Sequence, residues 1–405
     1  MDRRVIEIEA SLLNPSAVTR SSTCRRPAPR LAALCLAAAL AACGGGGGTG
    51  SGGTLGATAA APTRFLYASA QPSGLTAQNF GGIYAFRFDT GAGRLTAVSN
   101  SAFAPETIGA PITLSRDSKF LYSIDLLTNP SALTAYAVQP DGWLSPVANE
   151  PFDAGEPIAT LATDPGGDFL YATAVSGNLL VFSIDPSTGA LTPRSRVNGL
   201  AAGGGALVTP NGRNLYYTTP SGIYEFAIDA ASGALAPLAG SPVAYHIVPG
   251  PAAVDPAGKF VYVTNADPSV TTGAQVSAWS IDQATGELGS IALPVAATTA
   301  GPQLGVTVDG SGTFAIVTTA VGSGTDPSCF NVFAIDAGTG ALTPVPGSPF
   351  AADCGQIAAD VSYNYLYDGS SAGVAVYLLS QTGALQAGPR VIVVGGQVTS
   401  VAVSR

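Results

Sequence analysis

Short apolar segments recur about every 50 residues beyond residue 63. Each repeat holds an aromatic segment, a second segment that in most repeats ends at an acidic residue and a glycine turn, and a shorter third segment that opens with Leu. The aromatic segments are residues 65–67, 120–122, 169–171, 215–216, 260–262, 314–316 and 365–367. A repeat of this length indicates one structural unit used many times.

A fourth apolar stretch precedes the aromatic segment in six repeats, at residues 111–114, 157–162, 205–208, 251–254, 304–308 and 357–359. The first repeat lacks it, whereas the chain ends in an unpartnered apolar segment at residues 398–403. We therefore predict an all-β fold over residues 63–405: a seven-bladed β-propeller with four antiparallel strands per blade. The C-terminal strand should join blade one and close the ring, which removes open sheet edges.

The turn before the third segment is nearly constant, as in residues 185–191 and 336–342. Its Asp can cap the turn, and its Gly can take the positive φ that a tight hairpin requires. A calcium loop is the alternative, but calcium ligands would have to come in alternating clusters. We expect structural turns.

Composition narrows the function classes. Only 11% of residues are charged and 50 are Gly, which excludes coiled coils, helical bundles and ordinary disordered proteins. The net charge is −9, and 11 basic and 23 acidic residues remain after residue 42. No basic cluster follows residue 30, so we expect no nucleic-acid partner, because phosphate binding needs Lys and Arg.

The N-terminal region has the order of an export signal. Four Arg residues between positions 20 and 30 precede an apolar run over residues 31–42, which is typical of a secretory signal peptide. The run ends at Leu40-Ala41-Ala42-Cys43-Gly44, which resembles the lipobox of bacterial lipoproteins; an ordinary signal peptide with a chance Cys is the alternative. Residues 1–19 fit no such pattern and indicate a start site set too far upstream.

These features predict three regions. Residues 1–42 form the signal peptide with its upstream extension, residues 43–62 form a lipidated Cys43 with a Gly-rich flexible linker, and residues 63–405 form the propeller. We expect a protein anchored to the bacterial cell envelope, in contact with the membrane through its lipid only. By resemblance to bacterial lipoproteins, Gly44 after the lipidated Cys indicates the outer membrane.

The repeat unit, as in Asp164-Pro165-Gly166-Gly167-Asp168-Phe169-Leu170-Tyr171, resembles the lactonase-type seven-bladed propeller family, which includes phosphogluconolactonases and carboxymuconate-cyclising enzymes. The resemblance implies a Pro-Arg-His triplet on one innermost strand and an Asn-Glu pair at the end of the next strand. Pro251 and Asn265 match, but Ala252, Ala253 and Ala266 stand where Arg, His and Glu are expected. Arg would hold an anionic substrate, while His or Glu would move a proton during lactone opening.

Two functional hypotheses follow, with a purely architectural envelope role as a third. The first is a ligand-binding or protein-binding module without the family's catalytic groups, with an envelope protein, a glycan or a small molecule as partner. The alternative is a lactone hydrolase that acts at the mouth of the central channel. The candidate residues lie on the face that carries the connections between blades: His246 and Asn265 as weak catalytic candidates, and Asp153, Glu156, Tyr245, Asp267 and Gln356 for binding.

His246 is the only histidine. It can serve as a general base that reaches the channel, or it can be a polar residue in the connection between blades four and five. Gly203-Gly204-Gly205 suggests a phosphate loop, but no Lys follows and no helix begins there. We expect a loop that enters a crowded innermost strand, where small residues fit.

Cys329 and Cys354 are the two thiols left after Cys24, Cys35 and Cys43 are assigned to the N-terminal region. Cys329 should precede the third strand of blade six and Cys354 should follow its fourth, on the same face, so a disulfide is predicted; a reactive Cys pair is the alternative. One His and two thiols do not make a zinc site, and we expect no metal, no cofactor and a monomer.

Overall fold

The computed structural model describes residues 64–72, 81–98, 102–103, 109–126, 129–244, 248–265, 267, 276–291, 303–320, 328–360, 364–391 and 396–404. The predicted signal peptide, Cys43, the linker, Tyr245 and His246 lie outside these residues. The strands form seven antiparallel sheets, which confirms the predicted seven-bladed propeller. Within the described part of the chain, no helix has the length and apolar character needed to cross a membrane.

Every blade repeats one path of four strands from the central channel to the rim. From blade two to blade seven and then blade one, the innermost strands are Thr113–Leu114 (β4), Ile158–Thr163 (β9), Gly205–Val208 (β13), Pro249–Val254 (β17), Gln303–Val308 (β21), Gln356–Ala359 (β26) and Gly396–Val403 (β30). From blade one to blade seven, the second strands are Arg64–Pro72 (β1), Phe120–Ile124 (β5), Phe169–Ala174 (β10), Asn214–Thr219 (β14), Phe260–Asn265 (β18), Phe314–Thr319 (β22) and Tyr365–Ser370 (β27).

The outer half of each blade follows the same order. The third strands are Gly82–Asp89 (β2), Ala132–Val138 (β6), Leu179–Ile184 (β11), Gly222–Ile228 (β15), Ser277–Ile281 (β19), Ser328–Ile335 (β23) and Gly373–Leu379 (β28). The outermost strands are Arg94–Ala97 (β3), Leu144–Pro146 (β7), Leu191–Val197 (β12), Leu235–Pro237 (β16), Leu288–Ser290 (β20), Leu342–Pro344 (β24) and Leu385–Val391 (β29).

Two faces follow from this path. Since successive strands alternate in direction, the connections between blades and the hairpins between second and third strands lie on one face, which we call the loop face. The hairpins between first and second strands and between third and fourth strands lie on the opposite face, the turn face.

The ring closes in blade one, where both ends of the propeller meet. Strand β30 pairs with β1, with Leu66 opposite Val403. The Phe65 N–H donates to Ser404 Oγ at 2.8 Å, and Arg64 Nη1 lies 3.0 Å from Asp360 Oδ1 of blade seven. The predicted closure by the C-terminal strand is therefore confirmed.

The bond between Phe65 and Ser404 belongs to a repeated pattern. In six blades, the side chain of the residue that follows the innermost strand accepts a backbone N–H from the start of the second strand. The donor lies five positions further along the chain, except in blade one, where it is Phe65. The acceptors are Ser404, Ser115, Asp164, Thr209, Asp255 and Asp309. The C-terminal strand of blade one thus reproduces a turn that the other blades form within one stretch of chain.

Contacts between blades explain why the aromatic segments and the glycine turns recur together. Tyr67 donates its hydroxyl to the Gly142 carbonyl of the next blade at 3.1 Å, and a Cβ on Gly142 would lie 2.3 Å from the Phe65 ring. We call this pairing the Tyr–Gly latch. It recurs from Tyr122 to Gly189, Tyr171 to Gly233, Tyr216 to Gly286 and Tyr262 to Gly340.

The Asp residues of these turns act within the turn. Asp185 Oδ1 accepts the N–H groups of Ser187 and Thr188 at 3.0 and 2.8 Å, and the Ser187 hydroxyl at 2.7 Å. These hydrogen bonds lower the pKa of Asp185 to about 2. The carboxylate is occupied by its own turn, as predicted.

Blade six departs from the sequence prediction. Strand β23 begins at Ser328 rather than Val332, because Phe350–Ala351 (β25) returns to pair with its first residues. A second short strand that the sequence did not predict, Phe152–Asp153 (β8), pairs with β6 in the same way. Cys329 therefore lies within β23, not before it. Its disulfide with Cys354 is present, with a Cα–Cα distance of 5.6 Å.

Candidate functional site

The central channel opens at the loop face between blades three, four and five. A cavity of about 400 Å³ lies there, lined by Thr160 and Leu161 in the middle of β9, by the first residues of β13 and β17 and by Thr218 of β14. We call it the mouth cavity. Its volume falls in the range of about 300–1,000 Å³ that is typical of small-molecule sites.

Small residues shape the wall of the mouth cavity in blade four. A Cβ on Gly203 would lie 2.0 Å from the Thr218 carbonyl oxygen, so only Gly fits there. The Gly204 N–H donates to that oxygen at 2.8 Å, and the Gly205 N–H donates to Thr218 Oγ1 at 3.3 Å. Since two of these N–H groups are bonded within the blade, the segment does not have the geometry of a phosphate loop.

Hydroxyls and carbonyls provide the polarity of the cavity. Thr160 Oγ1 and Thr173 Oγ1 lie 2.7 Å apart. The carbonyl oxygens of Gly250 and Pro249 would lie 3.3 and 3.6 Å from a Cβ on Gly204, so they face the cavity wall across the gap between blades four and five. The remaining lining is aliphatic, and no ionisable side chain among the described residues lines it.

Blade five carries the positions that the family resemblance assigns to catalysis. Ala252 lines the mouth cavity, and Ala253 lines a second cavity further along the channel. At the end of β18, the Asn265 N–H donates to Gln303 Oε1 at 2.6 Å, and Asn265 Oδ1 accepts the Asp267 N–H at 3.0 Å. Asn265 and Asp267 are thus brought together, and Asn265 is tied to blade six.

Gln303 was not singled out from the sequence. It begins an innermost strand whose only other polar residue is Thr307, and it is 2% exposed. A polar residue at the start of such a strand is the signal that could have identified it.

Glu156 lies at the loop face of blade three, two residues before the innermost strand β9. Its carboxylate accepts Asn178 Nδ2 at 3.0 Å, contacts the Ser176 hydroxyl, and pairs with Arg196 of the outermost strand β12. Burial by itself would raise the pKa of Glu156, but these hydrogen bonds and the guanidinium outweigh it and lower the pKa. Glu156 does not line the mouth cavity.

Asp153 also lies apart from the channel. It ends β8, is exposed, and accepts the Gly155 N–H at 2.8 Å. The structure therefore does not bring Asp153 together with Asn265 and Asp267, and a binding role for it remains a prediction.

Gln356 begins β26 in blade seven, opposite Gly369, and does not line the mouth cavity. Beside it, Asp368 accepts the N–H groups of Gly355 and Asp353 at 2.8 and 3.0 Å. Burial raises the pKa of Asp368 to about 7; the N–H of Gly355 opposes the shift, and Asp353 adds to it. Asp353 in turn pairs with Arg390.

A larger cavity of about 650 Å³ occupies the turn-face end of the channel. The last residues of all seven innermost strands line it, and most are aliphatic, as Val208, Val308 and Val401 illustrate. Arg116 at its rim donates to the Pro165 carbonyl. This cavity belongs to the repeated turn architecture, whereas the mouth cavity belongs to three blades only.

Metal ligation is not indicated in the described parts of the chain, where no three His, Cys, Asp or Glu residues are grouped closely enough to hold an ion. Tyr245 and His246 precede Val248 in the connection to blade five but lie outside the described residues. Their roles remain predictions.

Comparison with known proteins agrees with this architecture. The sequence model of the family described as "Lactonase, 7-bladed beta-propeller" matches residues 71–205. No curated protein matches the chain. The fold is similar to that of a candidate 6-phosphogluconolactonase from Bacteroides fragilis, with a TM-score of 0.67 and 19% identity over 85% of this chain and 98% of the other.

Two further solved structures share the fold. A candidate 6-phosphogluconolactonase from Bacteroides uniformis has a TM-score of 0.68 and 19% identity, over 85% of this chain and all (100%) of the other. The periplasmic gluconolactonase of Pseudomonas aeruginosa has a TM-score of 0.61 and 16% identity, over 85% of this chain and 99% of the other. At these identities the similarity establishes the propeller fold.

Proposed function

We propose that the chain is a lipid-anchored cell-envelope propeller of the lactonase-like family that binds a ligand or a protein at the loop face without hydrolysing it. The family-model match over residues 71–205 supports the family, and the charged-then-apolar segment that ends at Cys43 supports the anchor. The outer membrane is the proposed location.

The observation that carries the non-catalytic role is the pair Ala252 and Ala253 on β17. Ala252 lines the mouth cavity where the resemblance expects an Arg, and a methyl group can neither hold an anion nor move a proton. The carboxylate of Glu156, at the loop face of blade three, is engaged by Arg196 and by two polar side chains. It offers no general base to the cavity.

A lactone hydrolase is the second candidate. A resemblance to lactonases and one solved gluconolactonase of the same fold favour it, and His246, next to blade five in sequence, would be its base. It would need a proton-transfer route that uses neither Ala252 nor Ala253.

An enzyme assay separates the two candidates. The purified full chain is incubated with a panel of sugar and acyl lactones, and hydrolysis is followed by acid release. The binding role predicts no turnover above background. Turnover that disappears in His246→Ala or Asn265→Ala, but persists in the exposed control Asn198→Ala, would overturn it in favour of the hydrolase.

Crosslinking in intact cells tests the binding role directly. A photoreactive residue at Val175, which is 60% exposed on the loop face, should capture a reproducible partner, whereas the same residue at Thr188 on the turn face should not. Equal capture from both positions would contradict the proposed site. Incorporation of labelled fatty acid that survives Cys43→Ser would contradict the anchor.

A further inference from the structure

The distribution of positive charge over the two faces is uneven. The sequence holds 11 Lys and Arg residues after residue 42. One of them, Arg405, lies outside the described part, and the other ten form two groups. Seven occupy turns or strand ends at the turn face: Arg64, Arg87, Arg94, Arg116, Lys119, Arg213 and Lys259.

The other three lie on outermost strands, three strands away from the channel. Arg196 pairs with Glu156, Arg390 pairs with Asp353, and Arg194 Nε donates to Ser183 Oγ at 2.9 Å. Each of these side chains is engaged by a partner that does not line the mouth cavity. The segments between residues 65 and 404 that the structure does not describe contain neither Lys nor Arg in their sequence.

A ligand in the mouth cavity therefore meets no cation from the described residues. The polar atoms that it meets are the hydroxyls of Thr160 and Thr218 and the carbonyl oxygens of Pro249 and Gly250, while two N–H groups of the blade-four wall are already bonded to Thr218. Carbonyl oxygens accept hydrogen bonds and repel anions. A phosphate or carboxylate that enters this cavity loses its hydration without gaining a cationic partner from the described residues.

Resting on the proposed binding function, we propose that the mouth cavity selects an uncharged small molecule that carries hydroxyl donors, and that it rejects phosphorylated or otherwise anionic ligands. Hydroxyl groups of such a molecule donate to Pro249 and Gly250, and its carbon skeleton packs on Leu161 and Leu207. The chemistry of the ligand differs in this respect from that of a phosphorylated sugar lactone.

Calorimetry with two matched probes tests the selectivity. The probes are gluconolactone and its phosphate ester, which differ only by the phosphate dianion. We expect the full chain to bind the neutral lactone at least about tenfold more tightly than the ester, which corresponds to ~1.4 kcal/mol. Equal or tighter binding of the ester, or binding of neither probe, would overturn the inference.

Two pairs of variants place the binding in the cavity. A Cβ on Gly205 would lie 3.8 Å from Thr160, so Gly205→Leu is tolerated by the backbone and fills the cavity; it should abolish binding, whereas Gly338→Leu in an exposed turn should not. Ala252→Arg should raise the affinity for the phosphate ester at least about tenfold, and Ala257→Arg on the turn face should leave it unchanged. Unaltered binding of the neutral lactone in Gly205→Leu would contradict the site.

A failure of the proposed charge preference can be distinguished from a failure of the proposed non-catalytic binding function. Hydrolysis of the neutral probe in the same samples would overturn the non-catalytic role and leave the charge preference intact. Preferred binding of the ester, without hydrolysis, would overturn the charge preference and leave the binding role intact.

Discussion

Different contacts join neighbouring blades at two interfaces of the ring. One is the interface between blades four and five, and the other is the interface between blades six and seven. In the first, Tyr216 donates to the Gly286 carbonyl at 2.7 Å, as the Tyr–Gly latch does at four other interfaces. In blade six the corresponding residue is Ile316, which has no hydroxyl to donate. There the disulfide ties β23 to the connection that leads into blade seven.

The interface between blades six and seven also buries a charge-bearing group. The Asp368 carboxylate accepts backbone N–H groups of the connection, from Gly355 and Asp353. The Phe330 and Tyr377 rings pack against each other across the same interface, with centroids 5.1 Å apart. A repeat fold thus tolerates the loss of its repeated contact where a local covalent or polar contact replaces it. Such a replacement makes that interface sensitive to redox state and to pH.

Removal of the disulfide should have the largest effect. The double variant Cys329→Ala/Cys354→Ala frees a loop with a sequence separation of 25. We expect the free energy of unfolding to fall by about 3 kcal/mol, because the unfolded chain regains the closed loop's entropy. Guanidinium titration measures it. A loss below about 0.5 kcal/mol would show that the polar contacts alone hold this interface.

Disturbance of one Tyr–Gly latch should have the second-largest effect on the free energy of unfolding. A Cβ on Gly189 would lie 2.3 Å from the Phe120 ring, at a φ of +75° that side chains rarely adopt. Gly189→Ala should therefore cost about 2 kcal/mol. Gly338→Ala is the matched control, since its Cβ meets Asp336 only at an ordinary 3.5 Å, and it should change stability by less than about 0.5 kcal/mol. Equal losses in the two variants would refute the latch.

The pH dependence of stability should show the contribution of Asp368 to the interface between blades six and seven. The folded protein raises the pKa of Asp368 from 3.8 to about 7, so within that window the folded state keeps a proton that the unfolded state has lost. This stability is complete below the unfolded pKa and is lost as the pH rises through about 7, with a slope of at most ~1.4 kcal/mol per pH unit.

Denaturant titrations at several pH values measure that slope. The charged and titratable groups around Asp368 are Asp353, Tyr377 and Arg390, and Asp368→Asn should flatten the profile between about pH 4 and 7. Asp117→Asn on the turn face is the control, because the pKa of Asp117 is lowered, so its effect falls at more acidic pH. A slope that survives Asp368→Asn would assign it to another group.

Loss of one latch hydroxyl should have the smallest effect. Tyr216→Phe leaves the buried Gly286 carbonyl without its donor and should cost about 1 kcal/mol. Tyr224→Phe, at a half-buried position of the same blade, should change stability by less than about 0.5 kcal/mol. If the two variants unfold at the same denaturant concentration, the hydroxyl of the latch contributes nothing.

Several features were predictable from the sequence alone: the repeat, the number of blades, the closing C-terminal strand, the capped turns and the disulfide pairing. These features follow from local patterns, because strand periodicity and turn chemistry depend on residues a few positions apart, and because repetition aligns distant segments. The extra strands at Phe152 and Phe350 were not predicted, since two-residue pairings leave no periodic signal.

Only the tertiary structure decided which side chains meet. Glu156 was predicted at the channel mouth, yet a bond to Arg196 on the rim directs it outward, and no local pattern shows which strand edge a loop residue will reach. The same applies to Gln303, to Asp368 and to the mouth cavity, which no described Lys or Arg side chain lines. Each depends on which blades become neighbours and on which way a side chain points, and these are settled only when the ring closes.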